Sequence, residues 1–226
     1  MSPALFVTGT DTGVGKSLVA CALLRAARRQ GVAAAGFKPV AAGCDPHGRN
    51  EDAEALLAES IDGLAYEQVN PVALAPPIAP HIAAEEAGTP IRRDTIDAAF
   101  DALRARAELV IVEGAGGWQV PLGPDWTFAD WVRDRQLPVC LVVGLRLGCL
   151  NHALLSAADI GSQQLVSWVA NTLPPAMPRM EANVATLERR LAVPCAGRLG
   201  EHPSPDAAAD AVADWLSRFL AGCREG

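Results

Sequence analysis

The sequence of 226 residues lacks the features of a secreted or membrane-bound protein. No apolar stretch approaches the roughly 20 residues that a helix needs to cross a bilayer. The apolar start at residues 4–7 is too short for the hydrophobic region of a signal peptide. Its six cysteines form no Cys-x-x-Cys pair and lie mostly within apolar segments, which is typical of reduced thiols in a reducing compartment. We therefore expect a cytoplasmic protein with no membrane partner.

Clustered histidines and clustered basic residues are also missing. The four histidines are scattered without the spacing of zinc ligands, so we expect no structural metal. The formal net charge is −7 and the Lys and Arg residues form no long runs, which argues against a nucleic-acid partner. Half of the residues are hydrophobic, and a chain of this length can bury one full core. We expect a single domain over residues 1–226.

What the sequence does contain is a glycine-rich turn that runs into a lysine and a hydroxyl, at residues 9–17. Residues 4–8 before the turn have the apolar pattern of a buried strand. Residues 17–30 after it place apolar side chains at helical spacing. Strand, loop and helix therefore occur in the order that a phosphate-binding loop (P-loop) requires.

The residue types in this loop suit a nucleotide polyphosphate. Gly13 and Gly15, on either side of Val14, allow backbone conformations that turn N–H groups toward phosphate oxygens at the positive end of the following helix. Lys16 would reach the β- and γ-phosphates, and Ser17 would place its hydroxyl on a bridging Mg²⁺. The alternative is a tight strand-to-helix turn without a ligand, but the Lys-Ser pair in register favours the phosphate loop.

Two details of the loop restrict its class. Gly9 lies one residue further from Lys16 than the first glycine does in the commonest version of the loop. Position 11 is Asp, whereas the partition and cell-division ATPases with a deviant loop have a second lysine there. The sequence therefore argues against that branch.

Apolar, β-rich runs alternate with helical stretches along the rest of the chain. The predicted strands cover residues 32–38, 109–112, 138–144, 165–170 and 194–199, and the predicted helices cover 52–60, 93–107 and 206–220. Strands that are apolar throughout are buried on both faces, so we predict an α/β fold with a mostly parallel sheet covered by helices on both faces. The proline-rich segment 70–90 is interpreted as an irregular loop.

Ligands of open parallel sheets collect at the carboxyl ends of the strands. Lys38 ends one predicted strand, and Glu113 follows another and begins a glycine-rich turn. Magnesium prefers one or two carboxylates together with phosphate oxygens and water, so Glu113 and Asp52 with Ser17 would suffice. Asp52 has an alternative role as a negative charge that stabilises a helix N-terminus.

These features sit within an ordered set of motifs that spans essentially the whole chain. The motifs are Thr8-Gly9-Thr10-Asp11-Thr12, Lys38-Pro39-Val40, Arg49-Asn50 with Asp52, Pro80-His81-Ile82, Glu113-Gly114-Ala115-Gly116-Gly117-Trp118, Thr127-Phe128-Ala129-Asp130-Trp131, Leu147-Gly148-Cys149-Leu150-Asn151-His152 and Val169-Ala170-Asn171. In this set the sequence resembles the dethiobiotin synthetases. The resemblance implies a P-loop NTPase-type fold, a homodimer and an ATP-dependent cyclo-ligase. Its small-molecule substrates would be ATP, CO2 and 7,8-diaminopelargonate, from which the ureido ring is closed.

The resemblance also implies roles for individual residues. The nucleotide-binding set would be Gly13, Val14, Gly15, Lys16, Ser17, Asp52, Glu113, Gly114, Ala115, Gly116, Asn171 and Thr172. The substrate-binding set would be Thr12, Lys38, Ala42, Gly148, Cys149, Leu150 and Asn151. Ser17, Asp52 and Glu113 would hold magnesium. Lys16 and Lys38 would be catalytic and flank the carbamate and the γ-phosphate. Asn171 would read the adenine edge, and free N–H groups at 148–151 would receive the substrate carboxylate across the dimer interface.

Two segments depart from the family pattern. Ala42 lies where the family often has a serine, so the substrate hydrogen bond expected there lacks its hydroxyl. The segment 202–206 is shorter than the adenine-side loop of the family, which leaves single residues there unassigned.

Two other classes remain as alternatives. A related amidotransferase-type ligase of cobyrinate synthesis would need a glutaminase domain, for which 226 residues leave no room. A nucleotide-gated switch would need the missing second lysine and, usually, a basic amphipathic tail. Dependence of ATP hydrolysis on the diamine and bicarbonate separates a synthetase from a switch.

Overall fold

The computed structural model describes residues 2–225, the side chains of residues 2–224 included. A six-stranded parallel sheet lies at the centre of the fold. The strands in chain order are β1 (Ala4–Gly9), β2 (Ala34–Phe37), β3 (Val40–Ala42), β4 (Val72–Leu74), β5 (Leu109–Glu113), β6 (Val139–Leu145), β7 (Leu165–Thr172) and β8 (Cys195–Leu199). The main sheet has the order β2-β5-β1-β6-β7-β8, and β3 pairs with β4 in a separate small parallel sheet.

Helices connect the strands. They are α1 (Lys16–Arg29), α2 (Glu51–Glu59), α3 (Tyr66–Val69), α4 (Pro80–Glu86), α5 (Arg93–Arg104), α6 (Phe128–Asp134), α7 (Cys149–Ile160), α8 (Met180–Arg190) and α9 (Pro205–Glu225). No helix within residues 2–225 is both long and apolar enough to span a bilayer.

The alternation of side chains along the strands divides the core into two layers. Leu5 and Val7 of β1 pack with α1, α2 and α9 on one face of the sheet. Phe6 points the other way and packs with residues of α5, α6 and α7. All three side chains are fully buried. Helices therefore cover both faces, which confirms the predicted fold class.

The prediction for residues 70–90 was wrong in part, because this segment contains β4 and α4. Pro80 occupies the first turn of α4, where a missing N–H costs nothing and the fixed φ suits a helix. The strand β4 forms by pairing with β3, with Val40 opposite Val72. Neither a proline at a helix start nor a pairing over 30 residues is visible in local periodicity.

The parallel order brings the functional segments to one edge of the sheet. Lys38 follows β2, Glu113 ends β5, and the phosphate loop follows β1. The start of α7 follows β6, and Asn171 lies near the end of β7. Because these strands are neighbours in the order β2-β5-β1-β6-β7, the five segments lie side by side at their carboxyl ends.

Candidate active site

A cleft of about 840 Å³ opens at this edge of the sheet. Eleven of the predicted site residues line it, namely Thr12, Gly13, Gly15, Lys16, Ser17, Lys38, Ala42, Asp52, Glu113, Ala115 and Gly116. The structure thus brings the phosphate loop, both lysines and both predicted metal-ligating carboxylates together around one space, although they come from four separate parts of the sequence.

The phosphate loop depends on close packing at Gly15. Gly15 has φ 93°, a conformation that favours glycine, and it precedes the first residue of α1. A Cβ at this position would lie 2.3 Å from Nδ2 of Asn171. The same Nδ2 donates a hydrogen bond of 2.9 Å to the carbonyl oxygen of Val14. The side chain of Asn171 is therefore committed, through its amide nitrogen, to holding the loop.

Ser17 joins the two predicted metal-ligating carboxylates. Its Oγ lies 2.7 Å from Oδ1 of Asp52 and 2.8 Å from Oε1 of Glu113. A single hydroxyl proton serves only one of these acceptors at a time. Three oxygen-bearing side chains from α1, α2 and β5 therefore converge at one point on the cleft wall.

Asp52 lies where either of its two predicted roles is sterically possible. It lies in the first turn of α2, where a negative charge is favourable, and its backbone N–H donates to the Asn50 side chain that caps the helix. Its carboxylate nevertheless reaches Ser17 and Lys38. Asn50 also lines the cleft and was not predicted as a site residue. Its cap geometry fixes the direction in which α2 presents Asp52.

Lys38 lies between the two carboxylates. Its Nζ is 2.9 Å from Oδ2 of Asp52 and 2.5 Å from Oε1 of Glu113, and its side chain is 4% exposed. Burial alone would lower the pKa of Lys38, but the two carboxylates outweigh burial and raise it. The pKa of Asp52 changes in the other direction. Burial acts to raise it, but the charge and the hydrogen bond of Lys38 outweigh burial and lower it. The two carboxylates therefore favour the charged form of Lys38 at the edge of the sheet.

Lys16 has the opposite electrostatic environment. Its Nζ donates to the backbone carbonyl of Asp11 at 3.0 Å, within its own loop. Burial and the nearby charge of Lys38 lower the pKa of Lys16 to about 8. Lys16 and Lys38 are the only lysines in the sequence, and both lie in this cleft. The positive charge of Lys16 is poorly compensated by its surroundings and is available to a polyanion that enters the cleft.

The donor set fits magnesium. Glu113 is fully buried, and its Oε2 receives no hydrogen bond from any described residue. A buried carboxylate oxygen without a partner is costly unless an ion or ligand satisfies it. Two carboxylates and a hydroxyl are hard oxygen ligands of the kind that Mg²⁺ prefers. Within residues 2–225 no group of three or more His, Cys, Asp or Glu side chains could hold a metal ion, so phosphate oxygens would have to complete the coordination.

The predicted substrate-tail segment does not line this cleft. Gly148 has φ 96° and precedes α7, as expected for a helix start, and it provides no side-chain cap. Asn151 is exposed and is not the N-cap of α7. The expectation of a free N–H was wrong at Cys149, because that group donates to the carbonyl of Arg146 at 2.9 Å. The backbone N–H groups of Leu150 and Asn151, in the first turn of α7, remain as candidate donors.

Three further predicted residues lie behind the cleft wall. Val14 and Gly114 are buried, and a Cβ at Gly114 would lie 2.8 Å from the ring of Phe6. Thr172 is 8% exposed at the end of β7, where its hydroxyl donates to the sulfur of Met180. These residues support the shape of the cleft in the described structure and do not line it.

One wall of the cleft was missed by the sequence analysis. It is apolar and consists of Pro77, Ile78, Ala79, Val120 and Pro121. Ile78 is 40% exposed although it is a large aliphatic residue. The signal was present as the proline-rich segment, which we interpreted as an irregular loop. An apolar wall opposite a charged floor suits a ligand with a polar end and an aliphatic chain.

Comparison with known proteins identifies the family of this chain. A family model described as an AAA domain matches residues 3–209. A protein named ATP-dependent dethiobiotin synthetase BioD from Xanthomonas oryzae pv. oryzae is 51% identical over 221 residues, which cover 96% of this chain and 99% of that protein. A protein of the same name from Pseudomonas aeruginosa is 53% identical over 203 residues, covering 87% and 89%. The chain belongs to the dethiobiotin synthetase family.

Solved structures of proteins with low sequence identity share the fold of this chain. The MinD cell division protein of Aquifex aeolicus superposes with a TM-score of 0.58 at 14% identity, covering 97% of each chain. A ParA family ATPase from Chlorobium tepidum gives a TM-score of 0.58 at 12% identity, covering 96% of this chain and 99% of the other. At such low identity the likeness concerns the fold alone. It confirms the predicted P-loop NTPase-type architecture of the synthetase.

Proposed function

We propose that this chain is an ATP-dependent dethiobiotin synthetase that closes the ureido ring of dethiobiotin from 7,8-diaminopelargonate, CO2 and ATP. An amine nitrogen of the diamine attacks CO2 to give a carbamate. A carbamate oxygen then attacks the γ-phosphorus of ATP and displaces ADP. The second amine attacks the carbonyl carbon of the resulting mixed anhydride, and phosphate leaves.

The observation that carries the proposal is the convergence of both lysines with Ser17, Asp52 and Glu113 around one cleft. Each step develops or transfers negative charge on phosphate or carbamate oxygens. Fixed positive groups stabilise such charge best when they are already oriented in a site that excludes water. In our proposal, Lys16 and the backbone N–H groups of the loop bind the triphosphate, and Lys38 holds the carbamate oxygens toward it.

The assignments of the remaining residues follow from their positions. Thr12 lines the cleft beside Lys16 and offers a hydroxyl to the substrate. The apolar wall that includes Ile78 and Val120 accepts the aliphatic part of the diamine. Asn171 contacts the phosphate loop from the β7 side, and its remaining amide oxygen accepts from the adenine. Ala42 leaves a gap that a backbone group or water fills.

Ser17, Asp52 and Glu113 would hold Mg²⁺ bound to ATP. The ion, when present, neutralises charge on the phosphate oxygens. The hard-oxygen donor set supports this assignment, and so does Oε2 of Glu113, which has no hydrogen-bond partner among residues 2–225. Lys38, which already contacts Asp52 and Glu113, orients both carboxylates.

We further propose that the synthetase is a homodimer and that α7 contributes to the partner's site. The start of α7 carries the two backbone donors but lies outside the cleft of its own chain. The same helix and its preceding turn expose Leu147 to 94% and Leu155 to 63%. Large apolar side chains exposed close together mark an interaction surface. A second copy that buried them would bring its N–H groups at 150–151 toward the open end of the cleft.

The cellular setting that we propose is the cytoplasm. All six cysteines are free thiols in the part of the chain that the structure describes, which suits a reducing compartment. We propose small molecules and a second copy of the chain as partners, and neither nucleic acid nor membrane, in keeping with the net charge of −7.

Measurement of ADP release tests the proposed activity. A synthetase releases ADP only when both diaminopelargonate and bicarbonate accompany ATP, and it forms dethiobiotin in equal amount. A nucleotide-gated switch would hydrolyse ATP slowly and at the same rate without them. Equal ADP release with and without the diamine would contradict the proposal.

A further inference from the structure

Tyr66, the only tyrosine of the sequence, bridges the two segments that carry Lys38 and Asp52. It begins the short helix α3, is 6% exposed, and lies under the guanidinium of Arg49 at 4.3 Å from the ring centroid. Its hydroxyl accepts a hydrogen bond of 2.8 Å from the backbone N–H of Asn50. The same hydroxyl donates 3.1 Å to Oδ1 of Asn70.

Asn70 and Asn50, the two partners of the Tyr66 hydroxyl, make further hydrogen bonds toward the cleft. Asn70 is 3% exposed, and its Nδ2 donates to the backbone carbonyl of Lys38 at 2.7 Å and to that of Val72 at 3.2 Å. On the other side, Asn50 caps α2 by accepting from the backbone N–H of Asp52. One hydroxyl therefore sets the distance between the backbone that carries Lys38 and the helix start that carries Asp52.

We propose that Tyr66 is a positioning residue for the reaction, acting through Asn70 on Lys38 and through Asn50 on Asp52. These two chains of hydrogen bonds lead to Lys38 and to Asp52. The two residues then contact each other, with Nζ of Lys38 at 2.9 Å from Oδ2 of Asp52. The geometry of this contact depends on both backbones staying where the hydroxyl holds them. Removing the hydroxyl leaves the Asn50 N–H and the Asn70 Oδ1 without a partner among the described residues, and unpaired buried groups drive local rearrangement.

Tyr66→Phe tests this inference, which rests on the proposed activity. We expect a roughly tenfold fall in kcat for dethiobiotin formation and a several-fold rise in the Mg²⁺ concentration at half-maximal rate. Affinity for ATP measured without Mg²⁺ should change less than twofold, because Tyr66 does not contact the phosphate loop. Asn70→Ala should give a similar fall, and the double variant should be little worse than either single variant, since both changes break one path.

Ser60→Ala is the matched control. The Ser60 hydroxyl also bridges α2 and β2, accepting from the Gly36 N–H at 2.8 Å and donating to the Leu56 carbonyl at 2.7 Å. It lies at the end of α2 remote from Asp52. Loss of this buried hydroxyl should lower Tm about as much as Tyr66→Phe while kcat stays within twofold. An equal fall in kcat for both variants would reduce Tyr66 to a stabilising residue and overturn the inference.

A readout independent of turnover separates this inference from the proposed activity. Because Lys16 and Lys38 are the only lysines, a sample labelled with ¹³C-lysine gives two resolved ε-CH2 signals. Tyr66→Phe should shift the Lys38 signal and leave that of Lys16 in place. Unchanged signals for both would overturn the positioning role, whereas wild-type protein that forms no dethiobiotin would overturn only the activity.

Discussion

The phosphate loop and the start of α7 are both strand-to-helix turns at the same edge of one sheet, yet they differ in what surrounds them. The phosphate loop is enclosed by its own chain, with Lys16 buried and Gly15 packed against Asn171. The start of α7 is open, with Leu147 almost fully exposed and Asn151 in solvent.

The two halves of the proposed reaction have different structural requirements, which match this difference. Phosphoryl transfer needs cations fixed before the substrate arrives, because reorganising them would cost part of the rate enhancement. Binding of an aliphatic tail needs chiefly a covered surface and a few polar donors. One chain provides the first requirement by itself, and we propose that a pair of chains provides the second.

The largest effect should come from Lys16→Ala, which removes the central cation of the enclosed half. We expect kcat to fall by about 10²–10³, the range for loss of one preorganised group that stabilises charge in a transition state. The fold should persist, which circular dichroism checks. Arg28→Ala on the exposed face of the same helix is the control and should keep normal turnover. Near-normal turnover of Lys16→Ala would remove the assignment of the nucleotide site.

Glu113→Gln and Asp52→Asn should both raise the Mg²⁺ requirement. We expect a shift of about tenfold or more, because a charged contact is worth roughly 1.5–3 kcal/mol. Glu113→Gln should have the larger effect, since Glu113 is fully buried whereas the Asp52 side chain is 44% exposed. Glu54→Gln on the outer face of α2 is the control. A magnesium titration that either variant leaves unchanged would make that residue a structural acid only.

Asn151→Ala tests the open half. In our proposal the Asn151 side-chain amide donates to the carboxylate tail beside the two backbone N–H groups, so its loss should weaken binding of diaminopelargonate by about 1–2 kcal/mol and leave ATP binding intact. Asn183→Ala, near the start of α8, is a control for removal of an asparagine from a helix start. Calorimetry with each ligand separately checks this expectation. Equal losses of ATP and diamine affinity would show that the two halves are not separable.

The smallest effect concerns pH. Because burial and Lys38 lower the pKa of Lys16 to about 8, its charge is complete below pH 7 and is lost as pH rises through 8. ATP affinity should therefore weaken above pH 8 in the wild type and show no such decline in Lys16→Met. The two signals of ¹³C-lysine protein measure the pKa directly. A Lys16 signal that titrates at 10 or above would contradict the electrostatic description of the enclosed half.

The lowered pKa of Lys16 also makes the free energy of unfolding depend on pH. This dependence runs in the opposite direction to that of ATP affinity. The pKa of Lys16 in the folded state lies below its ordinary value of 10.5, so between pH 8 and 10.5 the unfolded chain binds more protons at this residue. The contribution of Lys16 to the free energy of unfolding therefore rises with pH across that window. Denaturant titrations of wild type and Lys16→Met at pH 7.5 and 9.5 compare the two slopes.

Sequence reasoning was most successful where local pattern and chemistry coincide. The strand before Gly9, the helix after Lys16 and the buried strand before Glu113 all follow from apolar runs that end in polar residues. The meeting of Lys38 and Glu113 could be anticipated because parallel strands end at one edge of a sheet.

Features that depend on tertiary contacts could not be predicted. The small sheet of β3 and β4 forms by pairing across 30 residues, and α4 begins at a proline within a segment rich in breakers. The commitment of the Cys149 N–H to Arg146 depends on the geometry of one turn. The bridging role of Tyr66 requires Asn50 and Asn70 to approach its hydroxyl from different parts of the chain. The spacing of residues in the sequence does not predict this approach.

We propose that the enclosed half of each site belongs to one chain and the open half to its partner. Hybrid dimers of Lys16→Ala and Asn151→Asp test it most directly. Asn151→Asp favours its own helix start through the dipole but repels a carboxylate tail. Each parent dimer should be inactive or weak at low diamine concentration. In a random equal mixture half of the dimers are hybrids, each with one intact site, so activity should recover to about one quarter of wild type. Activity equal to the mean of the parents in demonstrably mixed dimers, or sedimentation of monomers only, would contradict the claim.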